Sequence, residues 1–290
     1  MIRPAHIGAA ALRFAVASLA IFFSYAAGAT VLDVSYPRSP FANDPRREYY
    51  IKLLDLALHK SGVSYNMHPG DLKTAEMSRQ VTDPSGGVNV SWAPATRAYE
   101  ESMLAVRVPI DKGILGWRLF LIRAEDRAAF NNIRTLDQLK TFLAGQKRYW
   151  PDADIMRANG LQVVEGSDYD KMFGMLAADR FQYFPRGVGE IWKEEKVHPG
   201  MGLEVEPHLA LHYPSNTYFF VAKRSPQLAQ AIETGLRSAM RDGSFDKLFD
   251  RYNGEAVKRA HLGTRTVFEL SNPLLPEDKP VLQDQHPLRR

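Results

Sequence analysis

The segment from Thr217 to Tyr252 constrains the fold more than any other part of the sequence. It opens with an aromatic and β-branched run, Thr-Tyr-Phe-Phe-Val, which is typical of a strand. Ser225-Pro226 then has the form of a helix start, a capping residue before a proline. Apolar residues recur at helical spacing at Leu228, Ile232, Leu236 and Met240. Gly243 ends that pattern and Ser244 begins a second helix, so the segment predicts a strand followed by two helices.

Strands and helices alternate along the rest of the chain. We predict strands over residues 31–36, 63–67, 88–92, 117–123, 162–164 and 181–184, and helices over 47–60, 71–79, 135–144, 169–178 and 187–195. Such alternation favours an α/β fold in which helices cover mostly parallel sheets.

Three motifs give the chain a resemblance to a known family. They are Tyr49-Tyr50-x-x-Leu53-Leu54-x-Leu56-Ala57-Leu58, Met175-Leu176-Ala177-Ala178-x-Arg180-Phe181, and Asp242-Gly243-Ser244-Phe245 followed by Leu248 and Tyr252. With them, residues 31–252 resemble the family 3 extracytoplasmic solute-binding proteins, two-lobed receptors of ABC transporters that typically bind amino acids. The resemblance implies two lobes, each a mostly parallel sheet flanked by helices, with the ligand cleft between them.

This resemblance also implies how the chain is divided. We expect lobe 1 to contain residues 30–112 and 215–266, and lobe 2 to contain residues 113–214. Residues 267–290 are expected to form an extended C-terminal tail, because prolines recur at Pro273, Pro276, Pro280 and Pro287.

The first 29 residues have the features of a secretory signal peptide. Arg3 and Arg13 are the only charges, a mostly apolar stretch covers residues 14–25, and Ala27-Gly28-Ala29 has the small-x-small pattern of a cleavage site. A retained membrane anchor is the alternative, but the apolar stretch is shorter than the roughly 20 residues that span a bilayer. We therefore expect cleavage after Ala29.

The absence of cysteine narrows the chemistry and the location. It excludes disulfides, thiol catalysis and a lipid anchor on a cysteine, so we expect a periplasmic protein that is not lipidated. Losing two arginines with the signal peptide lowers the formal net charge from +4 to +2. Because the remaining Lys and Arg are scattered, this balance argues against nucleic acid as a partner. We expect a monomer.

Candidate ligand contacts follow the predicted strands of lobe 1. In open α/β sheets, ligands bind at the carboxyl ends of the strands. Ser91 and Trp92 end one strand, and Tyr36 ends the first strand, where family members often place an aromatic residue. Arg97 follows, and a planar guanidinium suits a ligand carboxylate. The family register places its arginine nearer Tyr99, and a surface arginine is the alternative interpretation of Arg97.

Lobe 2 offers three more candidates. Tyr149 and Trp150 follow a predicted strand, and aromatic rings commonly line ligand clefts. Amino-acid receptors of the family usually carry an aspartate where this chain has Arg186 and Gly187. A cation there would repel an ammonium group and attract an anion. An ion pair between Arg186 and Glu190 is the alternative.

The resulting hypothesis is a binding protein, not an enzyme. It captures a small polar ligand, anionic or amino-acid-like, and delivers it to the membrane permease of an ABC transporter. A ligand sensor for a membrane signalling receptor and a dehydratase-like enzyme on the same fold remain as alternatives. The sequence has no Gly-x-Ser-x-Gly elbow, phosphate loop or His-Glu-x-x-His motif, and we expect no cofactor. His208 and His212 are four apart on a predicted extended segment, so we expect no metal site.

Overall fold

The computed structural model describes residues 31–37, 45–70 and 87–275. The expected signal peptide, the helix predicted over 71–79 and the end of the predicted tail lie outside these residues. The strands within them are β1 Leu32–Tyr36, β2 Tyr65–Pro69, β3 Val90–Pro94, β4 Leu104–Val106, β5 Trp117–Arg123, β6 Leu143–Lys147, β7 Gln162–Gly166, β8 Tyr183–Gly187, β9 Leu203–Val205, β10 Leu209–His212, β11 Thr217–Val221 and β12 Thr266–Glu269. The α-helices are α1 Pro45–Ser61, α2 Arg97–Ser102, α3 Arg127–Phe130, α4 Leu136–Leu139, α5 Pro151–Ala158, α6 Tyr169–Ala177, α7 Ile191–Val197, α8 Pro226–Arg241 and α9 Ser244–Ala260.

One group of elements surrounds β11, the strand predicted at Thr217. This strand lies between β3 and β4 and runs antiparallel to both. Parallel strands β1 and β2 continue beside β3, because Asn89 N donates to Ser35 O at 2.9 Å. Helices α1 and α8 pack closely at Gly235, where a Cβ atom would lie 1.7 Å from Ala57 O. Glycine is therefore required for this helix crossing.

The second group is a seven-stranded mixed sheet. Its order is β12-β10-β5-β8-β6-β7, and β9 pairs with β5 outside this path. β6 is parallel to β7 and β8, whereas β5 is antiparallel to β8, β9 and β10. The aromatic rings of Phe120, Phe130 and Tyr183 pack together in the core of this group.

Several predicted boundaries differ from the structure. The helix predicted over 187–195 is Ile191–Val197, because residue 187 still belongs to β8. The helix predicted to reach Ala144 ends at Leu139, although its capping box at Thr135 is present. The chain then enters β6, whose pairing with β7 and β8 outweighs the local helical pattern. Residue 267, the start of the predicted extended tail, lies inside β12, which pairs with β10 in parallel.

Two short crossings connect the two groups of strands, at residues 107–116 and 213–216. The first crossing is joined to Thr217, the residue of β11 that directly follows the second crossing. Ile110 N donates to Thr217 O at 3.0 Å, and Thr217 Oγ1 donates to Asp111 Oδ2 at 2.6 Å. Tyr49 of α1 also donates to Ile110 O at 2.5 Å. Within the described residues, no helix combines the length and the apolar character that would carry it across a membrane.

Candidate functional site

Trp92 is the middle residue of β3, which continues to Pro94 and so does not end at Trp92 as predicted. Residues from the first two turns of α1 surround it. The Trp92 ring stacks on the Tyr50 ring, with centroids 5.4 Å apart and an interplanar angle of 25°. The Arg47 guanidinium lies 5.6 Å from the centre of the Trp92 ring. Arg47 Nη2 also donates to the carbonyl of Pro37, just after β1, at 3.1 Å. We call Arg47, Tyr50 and Trp92 the Trp92 cluster. It connects the end of β1 and the middle of β3 to the first turns of α1.

The other three sequence candidates in this half of the molecule lie at different depths. Tyr36 is half-buried in the last position of β1. Ser91 is buried, and because strand side chains alternate, it lies on the face of β3 opposite Trp92. Arg97 is exposed in the first turn of α2. Tyr99 packs on Phe220 instead, with ring centroids 5.6 Å apart. Of the four sequence candidates in this half of the molecule, Trp92 alone therefore belongs to the Trp92 cluster.

Arg186 is a buried part of an ion network. Its Nε and Nη2 each donate to the carboxylate of Glu194 at 2.7 Å, and Nη2 lies 2.8 Å from Glu190 Oε1. The guanidinium lies 4.6 Å from the centre of the Trp150 ring and 4.8 Å from that of Phe184. The ion pair with Glu190, one of the two interpretations of the sequence, is thus present.

The charge of Arg186 is matched by its acidic partners in this network. Burial opposes the charge on Arg186, but the carboxylates of Glu190 and Glu194 outweigh burial and hold its pKa above the ordinary value. Two carboxylates surround a single guanidinium. Arg186 therefore gives this part of the molecule no net attraction for an anion.

Tyr149 projects into solvent beside this network. Its side chain is 92% exposed, and its φ of 68° lies in the left-handed region that disfavours residues other than glycine. The turn is fixed because Trp150 N donates to Lys147 O at 3.1 Å and Arg148 N donates to Gly166 O at 2.8 Å. Packing of Trp150 against Phe184 and Arg186 holds the turn from the other side. An aromatic ring is thus presented at the carboxyl end of β6.

Asp152, in the first turn of α5, connects this helix to both crossings. Its Oδ1 accepts from Arg118 Nε at 2.5 Å and from the hydroxyl of Tyr213. Arg118 also donates to the carbonyl of Leu115. Although burial opposes the carboxylate charge, Arg118 holds the pKa of Asp152 below its usual value. The start of α5 is therefore fixed to residues 115 and 213.

A cavity of roughly 210 Å³ lies between the two groups of strands, and we call it the crossing cavity. It is bounded by the start of α1, the first crossing, the loop after β8 and the middle of α9. Its described lining residues are Tyr49, Tyr50, Asp111, Ile114, Leu115, Gly187, Val188, Gly189, Glu190 and Asn253. None of the seven sequence candidates is among them. No pattern in the sequence indicates this cavity, because its walls come from four segments that are distant in the chain.

Asp111 is the buried acid of the crossing cavity. Burial raises the pKa of Asp111 to about 6, against the opposing effect of hydrogen bonds from Thr217 and Gly113. Among residues 31–37, 45–70 and 87–275, no three His, Asp or Glu side chains come together as a metal site would require.

No protein-family model matches the sequence, and no curated protein matches it. Solved structures do match. An ancestral arginine-binding protein bound to arginine has a TM-score of 0.52 and 16% identity, over 77% of this chain and 97% of that one. A substrate-binding domain of a putative amino acid ABC transporter from Streptococcus pneumoniae has a TM-score of 0.51 and 14% identity, over 77% and 99%. A histidine kinase sensor domain with similarity to periplasmic binding proteins has a TM-score of 0.53 and 14% identity, over 78% and 96%.

The chain has the two-lobed fold of the periplasmic binding proteins. The predicted fold class is therefore confirmed, and the resemblance drawn from the sequence motifs is confirmed at the level of the fold. In this periplasmic-binding-protein fold, Trp92 lies in the middle of β3 and Tyr149 lies two residues after the end of β6, and these strands belong to different sheets.

Proposed function

We propose that the protein is an extracytoplasmic binding protein that captures a small polar solute between two lobes without transforming it. Residues 30–112 and 215–266 would form one lobe and residues 113–214 the other, behind a signal peptide cleaved after Ala29. The fold supports this proposal, since its solved relatives include an arginine-binding protein, a substrate-binding domain and a sensor domain.

The Trp92 cluster carries the proposal. It combines a flat aromatic surface with the guanidinium of Arg47, which contacts the chain at the carboxyl end of β1. Open α/β sheets bind ligands at such strand ends. A guanidinium matches a carboxylate in shape and charge, and a ring beside it favours a ligand with a flat or apolar part. We therefore propose a solute that bears a carboxylate, either a small anion or an amino-acid-like molecule. Arg47 would supply the contact that the sequence suggested for Arg97.

Closure of the lobes would follow from contacts made on both sides of the cleft. Tyr149 and Trp150 would supply the second side, with Tyr36, Ser91 and Arg186 supporting the walls. A ligand that touches both sides only in the closed form shifts the population towards closure. A change from 1:99 to 99:1 requires about 5 kcal/mol of differential binding. A few charge-assisted hydrogen bonds and one stacked ring are of that size.

The proposed partner is the membrane permease of an ABC transporter. A signalling receptor in the membrane is the second candidate, which the likeness to a histidine kinase sensor domain favours. Uptake of the labelled solute, measured in cells with and without this protein, distinguishes the transport role from the signalling role. Only the transport role predicts that uptake falls when the protein is absent.

The binding proposal is tested by a thermal-shift screen of residues 30–290 against amino acids, dicarboxylates and sugar acids. A ligand that binds the folded state raises the melting temperature. We expect a carboxylate-bearing hit whose affinity falls at least about tenfold in Trp92→Ala, the loss of one stacking interaction. Trp192→Ala, which removes a tryptophan on α7, is the matched control. A hit that binds Trp92→Ala as tightly as the unaltered protein contradicts the proposed site.

A further inference from the structure

Helix α9 connects the two groups of strands a third time, after the two short crossings. In its first half, the Phe249 ring packs edge-on against Tyr49 of α1, with ring centroids 6.0 Å apart. Near its end, the Arg259 guanidinium lies 4.1 Å from the centre of the Trp192 ring and 3.4 Å from Glu195 Oε2. These two partners belong to α7, which packs against β5 and β9. The chain then enters β12 and so ends its regular structure in the seven-stranded sheet.

Residues 270–275, which we call the strap, lead back from β12 towards the first group of strands. Leu270 N donates to His212 O at 2.7 Å and so continues the pairing with β10. Asn272 Nδ2 donates to Pro214 O, in the second crossing, at 2.8 Å. The strap therefore runs beside the second crossing.

Two adjacent leucines of the strap pack against different groups. Leu274 packs against the core of the seven-stranded sheet, the cluster that includes Phe120. Leu275 packs against the cluster of β3 and β11 that includes Phe220. Both leucines are half-buried. The tip of the strap therefore contacts both groups of strands at once.

Hydrogen bonds fix the conformation of the strap. Asn272 Oδ1 accepts from Leu274 N at 3.0 Å, which is an Asx turn. Asn159, at the end of α5, accepts from Ser271 N at 2.9 Å and donates to Ser271 O at 2.8 Å. Only residues 272–274 therefore lie between an anchor on the second group, Ser271, and one on the first group, Leu275. Such a short segment takes up little displacement, because a chain spans at most about 3.5 Å per residue.

We propose that the strap holds the two groups in the arrangement seen in the structure and thereby sets the closure equilibrium of the lobes. This restraint rests on the lobe closure proposed above. When one group moves against the other, Leu275 must leave its cluster or the anchor at Ser271 must break. A contact that is made in only one arrangement favours that arrangement by its differential free energy. The strap thus controls closure from outside the residues that would contact the solute.

The test measures the separation of the two groups in the mature chain without any solute. The sequence contains no cysteine, so Lys52→Cys on α1 and Lys171→Cys on α6, both exposed, provide the only two sites for spin labels. Pulsed electron spin resonance then gives the distribution of label separations. Leu275→Ser should widen this distribution or add a second population, because loss of a half-buried leucine favours the released arrangement about tenfold. Leu274→Ser is the matched control and should leave the distribution unchanged.

Asn272→Ala, which removes the contact with the second crossing and the turn, should widen the distribution as Leu275→Ser does. Circular dichroism and melting temperature establish that each variant is folded before it is labelled. An unchanged distribution in Leu275→Ser, or equal widening in Leu274→Ser, overturns this inference. Because this measurement contains no solute, its outcome is independent of the thermal-shift screen and of Trp92→Ala.

Discussion

The carboxyl group of Asp111 is fully enclosed where the two crossings meet, and its proton should be visible in the stability of the protein. Its pKa is raised from 3.8 to about 6, so the folded chain keeps a proton that the unfolded chain releases between these values. The contribution of Asp111 to the free energy of unfolding therefore falls as pH rises from about 4 to about 6, and it is constant above that range. The expected loss is about 3 kcal/mol, from about 1.4 kcal/mol per pKa unit.

The measurement is urea denaturation of the protein and of Asp111→Asn at pH 4, 5, 6 and 7. Asparagine does not titrate, so the difference between the two proteins isolates this residue from other acids. The stability of the unaltered protein should fall relative to the variant over the lower part of the range. Parallel curves for the two proteins would contradict the raised pKa.

Tyr149 stores backbone strain in its left-handed conformation. Tyr149→Gly should raise the free energy of unfolding by about 1 kcal/mol, because glycine adopts this conformation without a steric penalty. Tyr149→Ala removes the same exposed ring but keeps the strain, so its stability should be unchanged within about 0.5 kcal/mol. Equal stabilities of Tyr149→Gly and Tyr149→Ala in chemical denaturation would contradict the backbone strain at this position.

Single residues also mark the limit of the sequence analysis. Trp92 and Tyr50 were both visible as aromatic residues, but their stacking joins positions that are distant in the chain. The sequence suggested Glu190 as a partner of Arg186, but it did not suggest Glu194, which pairs with Arg186 as well. The burial of Asp111 depends on both crossings meeting, which no local pattern reports.

At the scale of elements, the crossing of α1 and α8 depends on a single missing methyl group. Gly235→Ala places a Cβ atom within 1.7 Å of Ala57 O, so the helices must move apart. We expect a loss of about 2–3 kcal/mol, the usual cost of overpacking. Gly174→Ala on α6 has nothing within 4 Å of its Cβ and should gain up to about 1 kcal/mol from helix propensity. Thermal and urea unfolding measure both, and a stable Gly235→Ala would show that the crossing can relax.

The elements that were well predicted are those whose signals are local. The β11-α8-α9 segment follows from a strand run, a proline start and a glycine stop, and its helices begin at Pro226 and Ser244 as expected. The helix at Thr135 was too long in the prediction, because the competing partner strands of β6 are distant in sequence. β12 was not predicted for the same reason. In the described sheet it pairs with β10, which lies more than fifty residues earlier in the chain.

At the scale of the whole molecule, the binding proposal requires a change of shape. Solution scattering with a saturating hit from the thermal-shift screen should give a smaller radius of gyration than the free protein, because lobe closure brings the two sheets together. A verified ligand that leaves the dimensions unchanged would contradict closure.

The position of β11 has a consequence for how the chain is made. This strand lies between β3 and β4 but is separated from them by more than a hundred residues of intervening chain. A ribosome must therefore synthesise about three quarters of the polypeptide before the first sheet can acquire its middle strand. Until then β3 and β4 have no shared partner, so we expect this sheet to be completed only late in synthesis.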